Sequence, residues 1–324
     1  MTWSAHEREA GLAIEALAPA AEAIGPGWRF RLGRQAAVPS IAADVEGGWL
    51  LLDAPLENAV LPYQSLVEAN ARLSGGAKFA LVPEDEWVHV RAELPLGVGT
   101  DLATRLLEAV RGCRQAAALA RSGREPGDGS SRSRGKRPAR PSVAPAAEAE
   151  LDRLCEEAGW VFTRRSSGCL AVDLEGTAQF SQAQLERRAD GDVALSVVLD
   201  DCHPETDSCG EAVAILLLRY CGWLRMARGV GDPASERLAP RFEVALAADP
   251  SPNELSEALS ALSVAVRFGA EEVRVLARSE ELARRYLAYQ PQGARCAPPA
   301  LKRARRSSAG PEKVRTKKRT TAQH

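Results

Sequence analysis

The sequence predicts an α+β protein with two copies of one α-β-β-β-α-β-β-α domain, each with an antiparallel sheet. A strand, turn and helix pattern occurs twice, as VHVRAELPLGVGTDLATRLLEAV at residues 88–110 and as FEVALAADPSPNELSEALSALSVAV at residues 242–266. AADVEGG and AVDLEGT also take the same place in the second predicted strand of each half. Because the spacing of apolar residues is the main signal of secondary structure, this shared order indicates a tandem repeat.

Charge divides the chain into four segments. Residues 121–147 hold seven Lys or Arg and two Asp or Glu, and residues 301–324 hold nine Lys or Arg and one Glu. These stretches are rich in Gly, Ser, Pro and Arg, and they bury too little apolar surface to offset chain entropy. We therefore expect a disordered basic linker (121–147) and a disordered basic tail (291–324). The linker joins two acidic domains, residues 1–120 and 148–290, and the tail follows the second domain.

The first domain begins with a predicted helix that ends at the Gly-Pro-Gly of residues 25–27. Trp28 follows this stop, as Trp160 follows the Gly that ends the first helix of the second domain. Three strands, a short helix, two strands and a last helix come next. Their predicted places are strands at 28–33, 40–47 and 49–54, a helix at 63–73, strands at 77–83 and 86–94, and a helix capped by Thr100.

The second domain repeats this order. The predicted elements are a helix at 149–159, strands at 160–165, 169–176 and 193–201 with an additional strand or hairpin arm at 178–188, a helix at 209–220, and strands at 223–230 and 241–248. Ser251, Pro252 and Glu254 then form a good helix start, with a capping Ser, Pro at the first position and Glu at the third. The run AVAILLLRY (212–220) is apolar around most of its helix, which suggests that the two domains pack on each other as a pseudo-dimer.

This order of elements resembles the fold of class I type III secretion chaperones and of the YbjN-like proteins. The resemblance is carried by WRFRLG, WLLLDAPL, LSGGAKFALVP and the 88–110 strand-turn-helix. It implies a non-enzymatic chaperone or adaptor that holds an extended segment of another polypeptide against sheet and helix surfaces. The chain departs from such chaperones because it holds two domains and two basic segments. It is therefore expected to act as a monomeric pseudo-dimer or as a homodimer.

One loop, LDDCHPETDSCG (199–210), contains a set of potential zinc ligands. The set comprises Cys202, His203 and Cys209 with Asp201 or Asp207. The loop has no CxxC pair and no second His, and adjacent Cys and His are awkward ligands for one ion. The favoured interpretation is a polar loop that leads into a helix capped by Asp207 or Ser208.

No motif for catalysis emerges from the sequence. There is no GxSxG, no HExxH and no GxxxxGK[ST], and the four His residues do not group with a nucleophile. His89 alternates with Val88 and Val90 on a strand and is expected to face solvent or the helix layer. We predict no catalytic residue, no metal site and no cofactor.

Two sets of residues are candidates for binding. A polypeptide partner is expected at aromatic and apolar side chains at or near strand starts: Trp28, Trp49, Leu51, Trp87 and Trp160. Basic residues of the tail could instead neutralise phosphates of nucleic acid without regard to sequence: Lys302, Arg303, Arg305, Arg306, Lys317, Lys318 and Arg319. Nonspecific nucleic-acid association through the basic linker and tail is thus the alternative function. A docking arm or a solubilising tail is the alternative role of the tail residues.

The location expected from the sequence is the cytoplasm, with no membrane partner. No run of about 18 apolar residues is present, and the N-terminal helix mixes Glu and Arg into its apolar positions. The seven Cys residues have no regular spacing, so no disulfide framework is expected.

Overall fold

The computed structural model describes most of the two domains. The described residues are 3–31, 40–56, 61–82, 84–97, 101–122, 145–166, 168–174, 182–188, 191–232, 235 and 237–290. They form seven α-helices and two antiparallel six-stranded sheets, which confirms the predicted fold class. Nearly all of the predicted linker and the whole basic tail lie outside them, as does Thr100.

The first sheet contains only strands from the first half of the chain. The elements are α1 (Ala5–Leu17), β1 (Glu22–Ile24), β2 (Gly27–Phe30), β3 (Ile41–Glu46), β4 (Trp49–Pro55), α2 (Tyr63–Asn70), β5 (Lys78–Leu81), β6 (Val88–Pro95) and α3 (Leu102–Ser122). The strand order is β1-β2-β3-β4-β6-β5, so β5 and β1 are its edges.

The second sheet has the same connectivity. Its domain comprises α4 (Pro145–Ala158), β7 (Phe162–Ser166), β8 (Cys169–Asp173), β9 (Gln182–Arg187), β10 (Val193–Val198), a 3₁₀ turn (Asp200–Cys202), α5 (Asp207–Trp223), β11 (Arg228–Gly231), β12 (Pro240–Leu246), α6 (Pro252–Arg278) and α7 (Glu280–Ala288). Taken from its far edge, the order is β7-β8-β9-β10-β12-β11. Each strand of the first sheet thus has a counterpart six strands later in the chain.

Each domain has four strands before its central helix. In the first domain this is one more than the predicted three, whereas in the second β9 confirms the additional strand predicted at 178–188. In the first domain α1 ends at Leu17, well before the Gly-Pro-Gly at 25–27. Pro19 explains the early end, because a residue that precedes proline is pushed out of the helical region, and Ala18 has φ −136° and ψ 79°. The chain then forms β1 and turns through Gly25, whose φ of +62° favours glycine.

The extra strands shift the repeat by one strand in its first half. AADVEGG lies on and after β3, whereas AVDLEGT begins on β8, the counterpart of β2. Trp28 lies on β2, whereas Trp160 precedes β7, the counterpart of β1. The second half of the repeat agrees with the prediction, because residues 88–110 and 242–266 take the same place as β6–α3 and β12–α6.

Three further details differ from or agree with the sequence analysis. The strand predicted at 223–230 is wrong in its first half, because Trp223 is the last residue of α5 and β11 begins at Arg228. The cap of α5 is Thr206, whose hydroxyl accepts from the Cys209 amide, and not Asp207 or Ser208. The start of α6 is confirmed, with Ser251 and Glu254 forming a reciprocal capping box.

The two domains pack on each other through their central helices. Helix α5 is buried around almost its whole circumference, because it lies between its own sheet, α6 and α7 on one side and β5 and α2 of the first domain on the other. Helix α2 in turn lies against β11 of the second domain. One hydrophobic cluster runs through both domains. Whether the chain is a monomer or a dimer in solution stays a prediction.

Two buried cations connect the domains reciprocally. Lys78, the first residue of β5, donates from Nζ to the carbonyls of Leu224 (2.6 Å) and Ala227 (3.1 Å), which precede β11. Arg228, the first residue of β11, donates from Nη1 to the carbonyls of Leu73 and Ala77, both at 2.9 Å, which precede β5. Each cation therefore satisfies backbone groups of the opposite domain.

Each cation also has a buried carboxylate in its own domain. Glu93 Oε2 lies 2.9 Å from Lys78 Nζ, and Glu243 Oε1 accepts from Nη2 of Arg228 at 2.6 Å. Glu243 is also paired with Arg188 and Arg241. Burial would raise the pKa of Glu243, but these guanidinium groups hold it below its usual value.

Asn70 marks the centre of this contact. Its side chain accepts from the Phe79 amide (2.7 Å) and donates to the Phe79 carbonyl on β5 and to the Gly229 carbonyl (3.1 Å) on β11. Cys221 has the matching place near the end of α5, where its Sγ accepts from the Gly229 amide at 3.1 Å. The interface thus has the two-fold character of an isologous contact, although one chain forms both sides.

Candidate functional site

A cleft of about 330 Å³ lies where the second domain meets the outward face of the first sheet. One wall is formed by β3, β4 and β6, and the other by residues 222–225, which end α5 and follow it. We call it the junction cleft. It is lined by Ala42, Asp44, Glu46, Leu51, Leu52, Asp53, Glu84, Arg91, Glu93, Gly222, Trp223, Leu224 and Arg225.

Strand register explains why polar side chains meet on this face. Residues paired across neighbouring strands share a face, and successive residues alternate between faces. One row joins Asp44 of β3, Leu51 of β4 and Glu93 of β6. The neighbouring row contains Asp53 and Arg91. The opposite face of β4 is apolar and buried, which fixes the polar face outward.

The second wall is held in place by the first domain. Arg91 Nη1 donates to the Gly222 carbonyl at 2.9 Å, and Lys78 Nζ donates to the Leu224 carbonyl at 2.6 Å. The chain then turns sharply at Met226, whose φ of +56° is unusual for a residue with a side chain. These contacts leave Trp223 52% exposed at the cleft, with its ring edge-on to Tyr220 at 5.7 Å between centroids.

The cleft carries an excess of negative charge. Five carboxylates line it, from Asp44, Glu46, Asp53, Glu84 and Glu93, against two guanidinium groups. The buried Glu93 is paired with Lys78, and Asp53 is paired with Arg91 and His89, so the exposed negative charge lies on Asp44, Glu46 and Glu84. Arg225 Nη2 lies 2.8 Å from Glu46 Oε2, and the Arg225 side chain is half-buried. A charged concave surface of this kind focuses the electrostatic field and attracts cations.

A buried histidine fixes one end of the cleft. His89 Nδ1 lies 2.7 Å from Asp53 Oδ2, and its Nε2 lies 3.0 Å from Asp85 Oδ2. The other oxygen of Asp53 accepts from Arg91 Nε at 2.6 Å. His89 faces away from Val88 and Val90, as the sequence analysis expected, but it is buried and does not face solvent.

These contacts set the charge of both groups. Burial opposes the charge of His89, but the hydrogen bonds and charges of Asp53 and Asp85 outweigh it and raise its pKa above the usual value. Burial likewise opposes the charge of Asp53, but His89 and Arg91 hold its pKa below the usual value. Both ring nitrogens of His89 face carboxylates, so the protonated ring serves to hold Asp53 and Asp85 in place.

The matching face of the second sheet has a different chemistry. The register places Glu186, Ala194 and Ala245 where the first sheet has Asp44, Leu51 and Glu93. In the neighbouring row Ser196 and Glu243 stand where the first sheet has Asp53 and Arg91. At these five positions the second sheet thus has two carboxylates, against three carboxylates and one guanidinium group in the first sheet. Glu243 is buried among Arg188, Arg228 and Arg241, so Glu186 is the carboxylate of these positions that is open to solvent in the second sheet.

The predicted partner-binding residues take different places in the structure. Trp28 is only 5% exposed and packs against Trp3, with 4.8 Å between ring centroids. Trp49 and Trp160 are half-buried against the core, and Trp87 is half-buried as well. Leu51 lines the junction cleft. That any of these residues contacts a partner stays a prediction.

Trp223 is the cleft residue that the sequence analysis did not select. Its place at the start of a predicted strand suggested core packing, whereas it ends a helix and faces the cleft. The predicted phosphate contacts, Lys302, Arg303, Arg305, Arg306, Lys317, Lys318 and Arg319, lie outside the described residues. Contact with nucleic acid through them stays a prediction.

The loop considered for zinc does not bring its ligands together. Cys202 and Cys209 are buried, and Cys202 Sγ points to the Ala270 carbonyl, whereas His203 is exposed. Within the described part of the chain, no group of three or more His, Cys, Asp or Glu side chains is arranged to hold a metal ion. The described helices also include none that is both long and apolar enough to cross a bilayer.

Comparison of the chain with protein-family models and with curated proteins gives no match.

Proposed function

We propose that the protein is a non-enzymatic polypeptide-binding protein, an adaptor or chaperone, and that its junction cleft takes a basic segment of its partner. The observation that carries this proposal is the exposed Trp223 beside the exposed carboxylates of Asp44, Glu46 and Glu84 in one concave site. The resemblance to secretion chaperones agrees with this function, but it is a resemblance of the sequence alone.

The chemistry of the cleft suits the side chains of Arg and Lys. The face of an indole ring attracts a guanidinium or ammonium group, with about 0.5–2 kcal/mol gained depending on solvent exposure. Carboxylates beside it add charge-assisted hydrogen bonds, which are about twice as strong as neutral ones. Leu51 gives apolar contact for the aliphatic part of such a side chain.

Strand addition at a free sheet edge is less favoured by the geometry. Strand β1 has only three residues. Strand β7 carries Arg164 and Arg165 at its exposed surface, and its pairing with β8 is irregular between Arg164 and Ser166. Short, charged and irregular edge strands are the usual means by which proteins prevent additional pairing. The cleft is therefore the better candidate for partner contact.

A labelled oligo-arginine peptide tests this proposal by fluorescence anisotropy with the full chain. We expect Trp223→Ala to weaken binding about tenfold, since the lost contact is worth about 1–2 kcal/mol. The double substitution Asp44→Asn and Glu46→Gln should weaken binding and reduce its salt dependence. An oligo-glutamate peptide should not bind.

Two variants serve as matched controls. Glu186→Gln removes a carboxylate at the counterpart of Asp44 in the second sheet, and Phe268→Ala removes an aromatic ring on α6 that is 62% exposed and does not line the cleft. Neither should change the peptide affinity. If they weaken binding as much as the cleft variants do, attraction to the acidic surface in general explains the data and the proposal fails.

A labelled DNA duplex in the same assay tests the alternative function, nonspecific association with nucleic acid. Nucleic acid bound through the basic tail would be insensitive to Trp223→Ala and would be lost when Lys302, Arg303, Arg305 and Arg306 are replaced by Gln. DNA binding of that kind together with no peptide binding would favour the alternative.

A further inference from the structure

We infer that the basic tail of this chain, residues 291–324, is an intramolecular occupant of the junction cleft and competes with the partner. This inference rests on the function proposed above. Its grounds are the place where the described chain ends, the charge of the tail and the open side of the cleft beside Trp223.

The described chain ends next to the cleft. The side chain of Gln290, the last described residue, accepts from Arg219 Nη2 at 2.6 Å. Arg219 stands one helical turn before Trp223 on α5, and the same Nη2 atom lies 3.8 Å from Glu86 Oε1. Glu86 belongs to the same turn as Glu84, which lines the cleft. The tail therefore starts beside the wall formed by residues 222–225.

The length of the tail is sufficient to reach the cleft. The first basic cluster begins at Lys302, which is 12 residues after Gln290. A chain of that length spans up to about 40 Å when extended. Gln290 contacts the guanidinium group of Arg219, which stands one helical turn before Trp223, so the cleft is within this reach. The second cluster, Lys317 to Arg319, has a still longer reach.

Charge complementarity favours the tail as the occupant. Residues 301–324 hold nine Lys or Arg and one Glu, whereas the cleft exposes the carboxylates of Asp44, Glu46 and Glu84 beside Arg225. An intramolecular ligand acts at an effective concentration in the millimolar range. If its own dissociation constant is on the order of 0.1 mM, it raises the apparent dissociation constant of a competing peptide about tenfold.

The test uses the full chain with its tail neutralised. The tail variant replaces Lys302, Arg303, Arg305, Arg306, Lys317, Lys318 and Arg319 by Gln. The linker variant, a matched control, replaces Arg132, Arg134, Lys136 and Arg137 by Gln. We expect the tail variant to bind the oligo-arginine peptide about tenfold more tightly than wild type, and the linker variant to bind as wild type does. Equal affinity of wild type and tail variant overturns the inference.

Collisional quenching by acrylamide gives a second readout that needs no peptide. Neutralising the tail should raise the quenching of tryptophan fluorescence in the wild-type background but not in the Trp223→Ala background. Unchanged quenching contradicts the tail as occupant.

The two proposals fail in different ways. If the peptide binds wild type and tail variant equally and Trp223→Ala abolishes binding, the cleft binds peptides but the tail does not occupy it. If the peptide binds no variant, the proposed function fails, and the quenching experiment still decides whether the tail covers Trp223.

Discussion

Replacing Lys78 by Met tests the reciprocal contact that holds the two domains and the wall of the junction cleft together. Lys78 is fully buried, and its ammonium group serves two carbonyls of the second domain and one carboxylate of the first. Met has a similar length and no charge, so the change removes these polar contacts with little loss of volume.

The expected loss in the free energy of unfolding follows from the groups that lose the Lys78 ammonium as their partner. The side chain of Glu93 is only 6% exposed, and breaking a buried ion pair by removing one partner costs about 3–5 kcal/mol. Two buried carbonyls left without a donor cost about 1–3 kcal/mol each, although such losses do not add within one network. We expect Lys78→Met to lower the free energy of unfolding by about 3–5 kcal/mol.

A second substitution separates the two parts of this loss. Replacing a buried pair by apolar residues of similar volume is often nearly neutral, so Lys78→Met with Glu93→Met should recover the part due to the unpaired carboxylate. The residual loss of about 1–3 kcal/mol then belongs to the carbonyls of Leu224 and Ala227, which is the contribution of the domain interface.

Urea unfolding of the full chain measures both variants. Tryptophan fluorescence and circular dichroism should give the same transition if the two domains unfold together. Arg153→Met is the control, because it removes an exposed ion pair with Glu157 and should cost less than about 1 kcal/mol. The reasoning is refuted if Lys78→Met costs no more than this control, or if the double variant is no more stable than the single one.

Three further variants test particular parts of the structure. His89→Gln should remove a pH-dependent stabilisation of the folded state. This stabilisation is fully present below the pKa of about 6.5 in the unfolded chain and is lost as the pH rises through the raised pKa of His89 in the native protein. Parallel curves of unfolding free energy against pH for variant and wild type would contradict this. Gly229→Ala should destabilise the protein by about 1–3 kcal/mol in urea unfolding, because the new methyl carbon would lie 2.6 Å from Leu217 Cβ; a cost near zero would show that α5 is not so close to β11. Ser251→Ala should lower the midpoint of thermal unfolding through the loss of about 1 kcal/mol of helix capping, and Ser251→Thr should retain most of it; equal losses in the two variants would exclude the cap as the cause.

Local chemistry made much of the fold predictable. The capping box at Ser251 and the all-round apolar character of α5 lie within one stretch of sequence, and both appear in the structure as expected. The signal that ends α1 is equally local, because Pro19 stands two residues after Leu17. The sequence analysis instead placed the end of this helix at the glycines of residues 25–27. Strand β1 was missed because three residues are too few to show an alternating pattern.

The site was less predictable, because it depends on contacts between distant parts of the chain. Lys78 and Arg228 each begin an edge strand, where a charge usually faces solvent. They are buried instead, and carbonyls about 150 residues away accept their hydrogen bonds. The alternation along β4 does place Asp53 and Leu51 on an outward face, but the sequence does not show that residues 222–225 cover it. Trp223 was assigned to the start of the predicted strand WLRMARGV, whereas α5 continues to Trp223.

Cross-linking of a lysine-rich peptide to the full chain with a zero-length carbodiimide tests the central claim most directly. The reagent joins a lysine to a carboxylate only where the two are in contact, and mass spectrometry then identifies the carboxylate. With the tail neutralised, we predict that the cross-links concentrate at Asp44, Glu46 and Glu84 and that Trp223→Ala reduces them. Cross-links spread over the surface, or found equally at Glu186 of the second sheet, would contradict the junction cleft as the binding site.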